Sequence, residues 1–324
     1  MKDIDFTSND KYILLPTIKN PKVYLLVENE FKMNSFKLYN PSSFLGKLLK
    51  EIAYNFPIFN IIKTEKSDFV NYIESYFKKE IHTSIYKATD KDKIVLQLQN
   101  KNEIVGYAKI GITSNGNKRI ENEIYALEVL KDIVTINILW KSQFKKYNFF
   151  IINEIKGNII QLDKTVIFDL LNKLKRNESF LLKDHPRYLK MLTEIKSHNN
   201  SNKYLKLLEK LDYNKSYHLV YEHGDFTEWN IISNNTDVVL FDFEFFVYDG
   251  LEYMDLCCYY YSKELYIKHT NINEIINNVL KEIGKECFDI FVLFVINRIF
   301  VRQDFGFNYE IEEKIIDILL KDVK

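Results

Sequence analysis

The chain has 324 residues, with 45 Lys or Arg against 45 Asp or Glu, a formal charge of zero, 46% hydrophobic residues and nine Gly. That balance belongs to a globular chain rather than a disordered one, and the absence of a basic excess argues against a broad nucleic-acid footprint. The glycine shortage leaves no G-x-G-x-x-G and no G-x-x-x-x-G-K-[ST] element, which excludes a Rossmann fingerprint and a P-loop.

The length predicts two domains, or one domain with an extension. The N-terminus, Met1-Lys2-Asp3-Ile4-Asp5, has no apolar leader. The apolar run Ile290 to Ile296 is far shorter than the ~20 residues of a membrane span. The expectation is a cytoplasmic protein with no membrane span. The three Cys (Cys257, Cys258 and Cys287) show no C-x-x-C and read as free thiols of a reducing compartment.

Four of the five Pro fall in the first 57 residues, among short extended runs at Tyr12 to Leu15 and Val23 to Leu26 and helical patches near 43–54 and 66–79. This stretch, 1–80, reads as an irregular N-terminal extension. From 83 to 112 the apolar period is near two. Ile94 to Leu98 and Ile104 to Ile110 read as paired strands joined by Asn100-Lys101-Asn102. A helix follows, with Ile120, Ile124 and Leu127 at helical spacing, and Glu123 sharing a face with Leu127 and Leu130. Strand character returns at Tyr147 to Ile152, before a connector at 153–157. Beyond 160 the pattern is helical, near 166–176, 203–211, 252–266, 272–283, 286–301 and 309–322, interrupted by one β island at 217–243. The layout is α+β with a strand-rich first part and a helix-rich second part.

The β island carries the chemistry. It reads His223-Gly224-Asp225-Phe226-Thr227-Glu228-Trp229-Asn230-Ile231-Ile232, then Val238-Val239-Leu240-Phe241-Asp242-Phe243-Glu244. Ile231-Ile232 and Val238 to Phe241 are short apolar strands around a turn-rich Ser233 to Thr236. An antiparallel hairpin would set Asn230 and Asp242 facing each other at its open end, two hard oxygen ligands suited to Mg²⁺. Asp225 lies on the preceding loop, within reach of a substrate held there. A carboxylate base beside Asn and Asp ligands is the equipment of metal-assisted phosphoryl transfer, and the Asp225-to-Asn230 spacing equals that of H-R-D-x-x-x-x-N. Glu244 is a further candidate for the metal.

These residues resemble the aminoglycoside phosphotransferase/choline kinase-like superfamily, whose signature is H-G-D-[LF]-x-x-x-N followed by D-[WF]-E. The resemblance covers roughly residues 83–302. Asp249-Gly250-Leu251-Glu252-Tyr253-Met254-Asp255-Leu256 is similar to a variant of its G-D-P-x-x-D-L, with Asp255 as the brace of the catalytic loop.

The resemblance implies a two-lobe protein-kinase-like fold, with an N-lobe at 81–156 and a helical C-lobe at 157–324. It implies ATP and Mg²⁺ as cofactors and a small-molecule hydroxyl acceptor (a sugar, aminoglycoside or amino alcohol). It assigns Asp225 as the base, Asn230, Asp242 and Glu244 to the metal, and Lys109 to the α/β-phosphates. Glu123 becomes the helix partner of Lys109, and Ile152 and Glu154 the backbone contacts to adenine. By its residues alone Lys109 also reads as a solvent-facing strand lysine, and Glu121 competes with Glu123. A weaker likeness, carried by residues 1–80 and Asp225 to Asn230, is to phosphotransferase-like proteins of bacterial surface-polysaccharide clusters. The family's nucleotide loop carries Gly or small residues, whereas Thr83-Ser84-Ile85-Tyr86-Lys87-Ala88-Thr89 has no Gly, so Ser and Thr hydroxyls would have to cap the phosphates. Two other readings follow: a kinase-fold binding protein without catalysis, and a glycosyltransferase using Asp242-Phe243-Glu244 as a D-x-E metal site.

Overall fold

The computed structural model describes residues 3–41, 43–56, 60–87, 91–101, 103–159, 162–234 and 238–321. The chain divides into two compact units, Met1–Lys131 with Ile136–Ile155, and Asp132–Thr135 with Lys156–Lys324.

The first unit is built on strands β1 (Lys11–Leu15), β2 (Val23–Leu26), β3 (Ile61–Lys63), β4 (His82–Lys87), β5 (Lys93–Asn100), β6 (Glu103–Gly111), β7 (Ile138–Phe144) and β8 (Tyr147–Ile152). They form one antiparallel sheet in the order β3-β1-β2-β4-β5-β6-β8-β7. The first 80 residues, read from sequence as an irregular extension, therefore supply three strands to the sheet. The join is β2 against β4, Val23 opposite Tyr86. That pairing links residues some 60 positions apart, which no local pattern encodes.

Side-chain alternation places the core on both faces of this sheet. Tyr12 and Leu14 of β1 enter one apolar cluster, with Ile85, Leu96, Ala108 and Phe149. Ile13 and Leu15 enter another, with Phe36 and Ala53. The helices of this unit are α1 (Asn29–Lys37), α2 (Phe44–Asn55), α3 (Asp68–Phe77) and α4 (Ser114–Val129). Phe69, Val70 and Ile73 of α3 join the first cluster. The Thr113 hydroxyl caps α4 by accepting from Gly116 N, satisfying one of the orphan amides of a helix start.

One titratable contact ties the N-terminal segment to β4. His82 Nδ1 lies 2.9 Å from Asp10 Oδ2, and its ring stacks on Phe31 at 4.0 Å. Burial pushes its pKa down, but the Asp10 hydrogen bond and the charges of Asp10, Glu80 and Glu30 outweigh it and hold the imidazole above its ordinary 6.5. A raised folded-state pKa contributes stability that is full below the unfolded value and fades as pH rises through the folded one. His82→Gln is therefore expected to lower Tm more at pH 5.5 than at pH 9. Equal losses in thermal denaturation at both pH values would refute the ion pair.

The second unit has two small sheets. β10 (Lys175–Leu181), β11 (Ser216–Glu222) and β14 (Val247–Leu251) form one, and β13 (Val238–Leu240), β12 (Ile231–Ser233) and β9 (Asn158–Ile159) the other. Its helices are α5 (Lys164–Lys173), α6 (Pro186–Ser197), α7 (Ser201–Leu208), α8 (Met254–Ser262), α9 (Ile272–Ile283), α10 (Phe288–Asp304) and α11 (Glu310–Lys321). α8 runs into a π-helical turn, Lys263–Ile267. The apolar run Ile290 to Ile296 lies wholly buried within α10. Among the described residues no helix is long and apolar enough to cross a membrane. All three cysteines are free and buried.

Candidate active site

The hairpin forms as the turn chemistry predicts: Ile231 pairs with Leu240, Ile232 with Val239 and Ser233 with Val238. Residues Asn235 to Asp237 of its turn lie outside the described residues. The pairing extends by one rung, Phe241 N donating to Asn230 O at 3.1 Å. The register thus sets Asn230 opposite Phe241, not opposite Asp242 as the sequence reading has it. Asp242 comes one residue later and takes the left-handed conformation, φ 69°, which a non-glycine residue adopts at a cost and which collects at functional sites.

Asn230 is turned onto Asp225 instead. Its Nδ2 donates to Asp225 Oδ2 at 3.0 Å and to Asp225 O at 2.9 Å. That fixes the half-buried Asp225 carboxylate and leaves Asn230 Oδ1 as the acceptor atom of the amide. The Asp225 carboxyl is raised to about 6, chiefly by burial; Arg298 of α10 opposes the rise, and the charges of Asp242 and Glu244 add to it. Asp225, Asn230, Asp242 and Glu244 therefore form one electrostatic neighbourhood in the second unit. Glu244 is buried there.

The loop is held from behind. His223 Nε2 lies 3.0 Å from Phe241 O, and His223 Nδ1 accepts from Asp225 N at 3.3 Å. Both ring nitrogens are thus engaged, with the proton on Nε2, so this buried imidazole positions the loop rather than acting as a base. Asp255, in the first turn of α8, accepts from His223 N at 2.7 Å and Gly224 N at 3.0 Å. Burial first, and the nearby Glu222 charge second, raise its pKa. Gly224 has φ 80°, and a Cβ there would stand 2.2 Å from Phe245 O, so only glycine fits. Glu222 meets Arg187 of α6, whose Nε is 3.3 Å from Glu222 Oε2 and whose Nη2 donates to Asn297 at 3.1 Å. A cavity of about 440 Å³ opens beside this loop, bordered by Gly224, Phe245, Asn297 and Phe300. Sequence reasoning missed Arg298, Arg187 and Glu222. An Arg on an apolar helix was the one available signal, since five Arg stand among 45 basic residues.

The first unit holds the other predicted residues. Lys109 of β6 and Glu123 of α4 are both buried, Nζ to Oε1 2.5 Å. Lys109 is therefore not the solvent-facing strand lysine. Glu121 instead accepts from Asn148 Nδ2 at 2.6 Å and is exposed. Ile152 ends β8 opposite Tyr107. Asn153 exchanges hydrogen bonds with Asn137, and Glu154 O accepts from Asn153 Nδ2 at 3.1 Å.

The nucleotide loop departs from its expectation. Thr83 and Ser84 are buried strand residues. The Thr83 hydroxyl donates to Phe6 O at 2.8 Å, and the Ser84 hydroxyl to Ser35 Oγ at 2.7 Å. Neither is available to cap a phosphate, because both serve to seat the N-terminal segment on the sheet. Ala88 and Thr89, at the tip, lie outside the described residues.

No family model and no curated protein matches the sequence. Solved structures do. A ternary complex of a thermostable mutant of aminoglycoside phosphotransferase APH(4)-Ia with ADP and hygromycin B matches with TM-score 0.55 over 79% of this chain and 99% of that one, at 7% identity. The chain has the kinase-like fold of the aminoglycoside phosphotransferases. The apo form of that thermostable mutant matches with TM-score 0.52 at 8% identity, over 78% of this chain and 98% of that one. At such identity the likeness is one of fold, and function rests on the site.

Proposed function

We propose that this protein is a small-molecule kinase that moves the γ-phosphoryl group of ATP to a hydroxyl of an acceptor. The observation that carries it is the Asn230 amide fastened to Asp225 on a braced His-Gly-Asp loop, with Asp242 and Glu244 beside it.

Asp225 orients the acceptor hydroxyl and takes its proton as the phosphoryl group arrives. Asn230 Oδ1, Asp242 and Glu244 would hold Mg²⁺. Among the described residues no three His, Cys, Asp or Glu side chains form a ready metal cage. The donor set nonetheless fits this ion, which uses one or two carboxylates, keeps several waters and completes its shell with substrate phosphates. When bound, the ion offsets charge on the phosphate oxygens. The Lys109 ammonium, set by Glu123, would contact the α/β-phosphates, and backbone groups of Ile152 and Glu154 would meet adenine. We place the acceptor in the cavity beside Gly224, whose polar and aromatic lining suits a sugar, aminoglycoside or amino alcohol.

An acceptor screen by Mg²⁺-dependent ATP depletion tests the activity. Nucleotide binding is tested separately: Mg-ATP is expected to raise Tm, and Lys109→Met to abolish most of that rise. A full shift in the variant would remove Lys109 from the nucleotide site. The binding-protein reading is favoured by the sequestered Thr83 and Ser84 hydroxyls. It predicts either no Mg-ATP shift, or a shift without turnover for any acceptor.

A further inference from the structure

Alternation along β6 puts Tyr107 and Lys109 on one face of the sheet, about 7 Å apart, and Ala108 and Ile110 on the other, in the apolar core. Antiparallel pairing carries that face across the neighbouring strands, since residues directly opposite share a side. Ser84, Gln97, Tyr107 and Ile152 make one row, and Tyr86, Val95, Lys109 and Phe150 the next. Helix α1 closes one end of the first row. Ser84 and Gln97 are fully buried there, the first bonded to Ser35 and the second to Asn34. Tyr86, Val95 and Tyr107 are left half-buried. The open part of the face is therefore a largely apolar platform beside Lys109.

The same helix fixes the direction of the Tyr107 hydroxyl. Asn34 O is a backbone carbonyl and can only accept, so the Gln97 group 3.0 Å from it is the NH₂. The second hydrogen of that NH₂ goes to the Tyr107 oxygen, 3.1 Å away. Gln97 cannot flip without setting two carbonyl oxygens against each other. Tyr107 therefore accepts from Gln97, and its own proton points elsewhere. That proton meets no acceptor among the described residues. Burial raises the pKa of the phenol, with the Gln97 bond opposing and the Glu154 charge adding, so the proton stays on the oxygen. A half-buried donor held in one direction without an acceptor calls for a partner from outside the chain.

Tyr107 stands opposite Ile152 on β8 and two residues from Lys109 on β6. A nucleotide whose base meets the backbone of Ile152 and Glu154 and whose phosphates meet Lys109 must cross it. Adenine presents ring nitrogens as acceptors. We propose that Tyr107 is a nucleotide-contacting residue whose hydroxyl donates to a ring nitrogen of the base. Gln97 and the Asn34 carbonyl are positioning groups for it, which gives the first 80 residues a part in the nucleotide site. The inference rests on the nucleotide reading given above, and every residue it uses lies in the first unit.

The test is titration calorimetry of the full chain and of Tyr107→Phe with Mg-ATP and with Mg-tripolyphosphate, which has no base. The variant loses one oxygen and keeps the ring, so its ligand-free Tm is expected within about 4 °C of wild type. Mg-ATP should bind it about three- to tenfold more weakly, as the loss of one hydrogen bond dictates. Mg-tripolyphosphate should bind both proteins equally. Equal Mg-ATP affinity in the two proteins overturns the proposal and leaves the nucleotide reading standing. So does an equal weakening of both ligands, since the hydroxyl then acts on the phosphates rather than the base. Absence of Mg-ATP binding by wild type removes the nucleotide reading, and this contact with it.

Discussion

Asp225→Asn is expected to lower kcat by about 10²–10⁴, the range associated with a positioned general base, while Tm stays within about 3 °C of wild type. The two halves of that expectation have separate causes. Asn keeps a carbonyl oxygen where Asp225 Oδ2 receives Asn230 Nδ2, and the backbone bond from Asn230 to Asp225 O is untouched. The loop should therefore keep its shape. The exchange removes one negative charge from beside Asp242 and Glu244, which favours folding. It also takes away an anion that faces Arg298, which opposes folding. These effects offset one another in the folded state but not in the reaction, where an amide cannot take the proton. Steady-state kinetics with an acceptor from the screen, and a thermal melt of the same variant, check both. A large drop in Tm would make Asp225 a structural residue. Unchanged kcat would remove it from the chemistry.

The site was legible in the sequence to the extent that it is local. Asp225 and Asn230 are five residues apart on one loop, and the hairpin that follows is specified by two short apolar runs around Asn and Ser, so spacing placed both at one site, although it set Asn230 against Asp242 rather than on Asp225. The pairing of Lys109 with Glu123 came from the resemblance; helical spacing only chose Glu123 over Glu121, and nothing in the strand period told a buried Lys109 from a solvent-facing one. Register was less legible. A single rung decides whether Asn230 faces Phe241 or Asp242, and the sequence carries no mark of where a ladder ends. Nonlocal pairing was illegible: β2 joins β4 across the whole of α1, α2, β3 and α3. The fate of the Thr83 and Ser84 hydroxyls follows from that join, since their partners Phe6 and Ser35 come from the segment that seemed peripheral by composition. β10, Lys-Arg-Asn-Glu-Ser-Phe-Leu, was missed because an exposed strand beside a single neighbour needs little apolar alternation. Arg298 was hidden for a different reason. Its role depends on Asp225, Tyr261 and Glu312 converging from three separate elements, with Arg298 Nε 3.3 Å from Glu312 Oε1 and its guanidinium 5.5 Å from the Tyr261 ring centre.

Asp255→Ala is expected to cost both stability and activity, and in that it differs from Asp225→Asn. The Asp255 carboxylate receives two backbone N–H groups, from His223 at 2.7 Å and from Gly224 at 3.0 Å. Alanine leaves both donors in a buried loop without a partner, at about 1–3 kcal/mol each. A total of roughly 2–6 kcal/mol corresponds to a fall in Tm of about 3–9 °C for a protein of this size. Gly224 holds φ 80°, a conformation with little support of its own once the tether to Asp255 is gone, and Asp225 is the next residue. Displacement of Asp225 by about 1 Å costs on the order of 10²-fold in rate, so kcat should fall although no reacting atom has been altered. Asp255→Asn separates the two effects. It keeps one acceptor oxygen but sets an NH₂ against the second amide, so its Tm should lie between wild type and Asp255→Ala. Hydrogen exchange at the Gly224 and Asp225 amides should rise in the same order. If Asp255→Ala exchanges these amides no faster than wild type, the loop is held by His223 and Phe241 alone, and the brace assigned to α8 is not there.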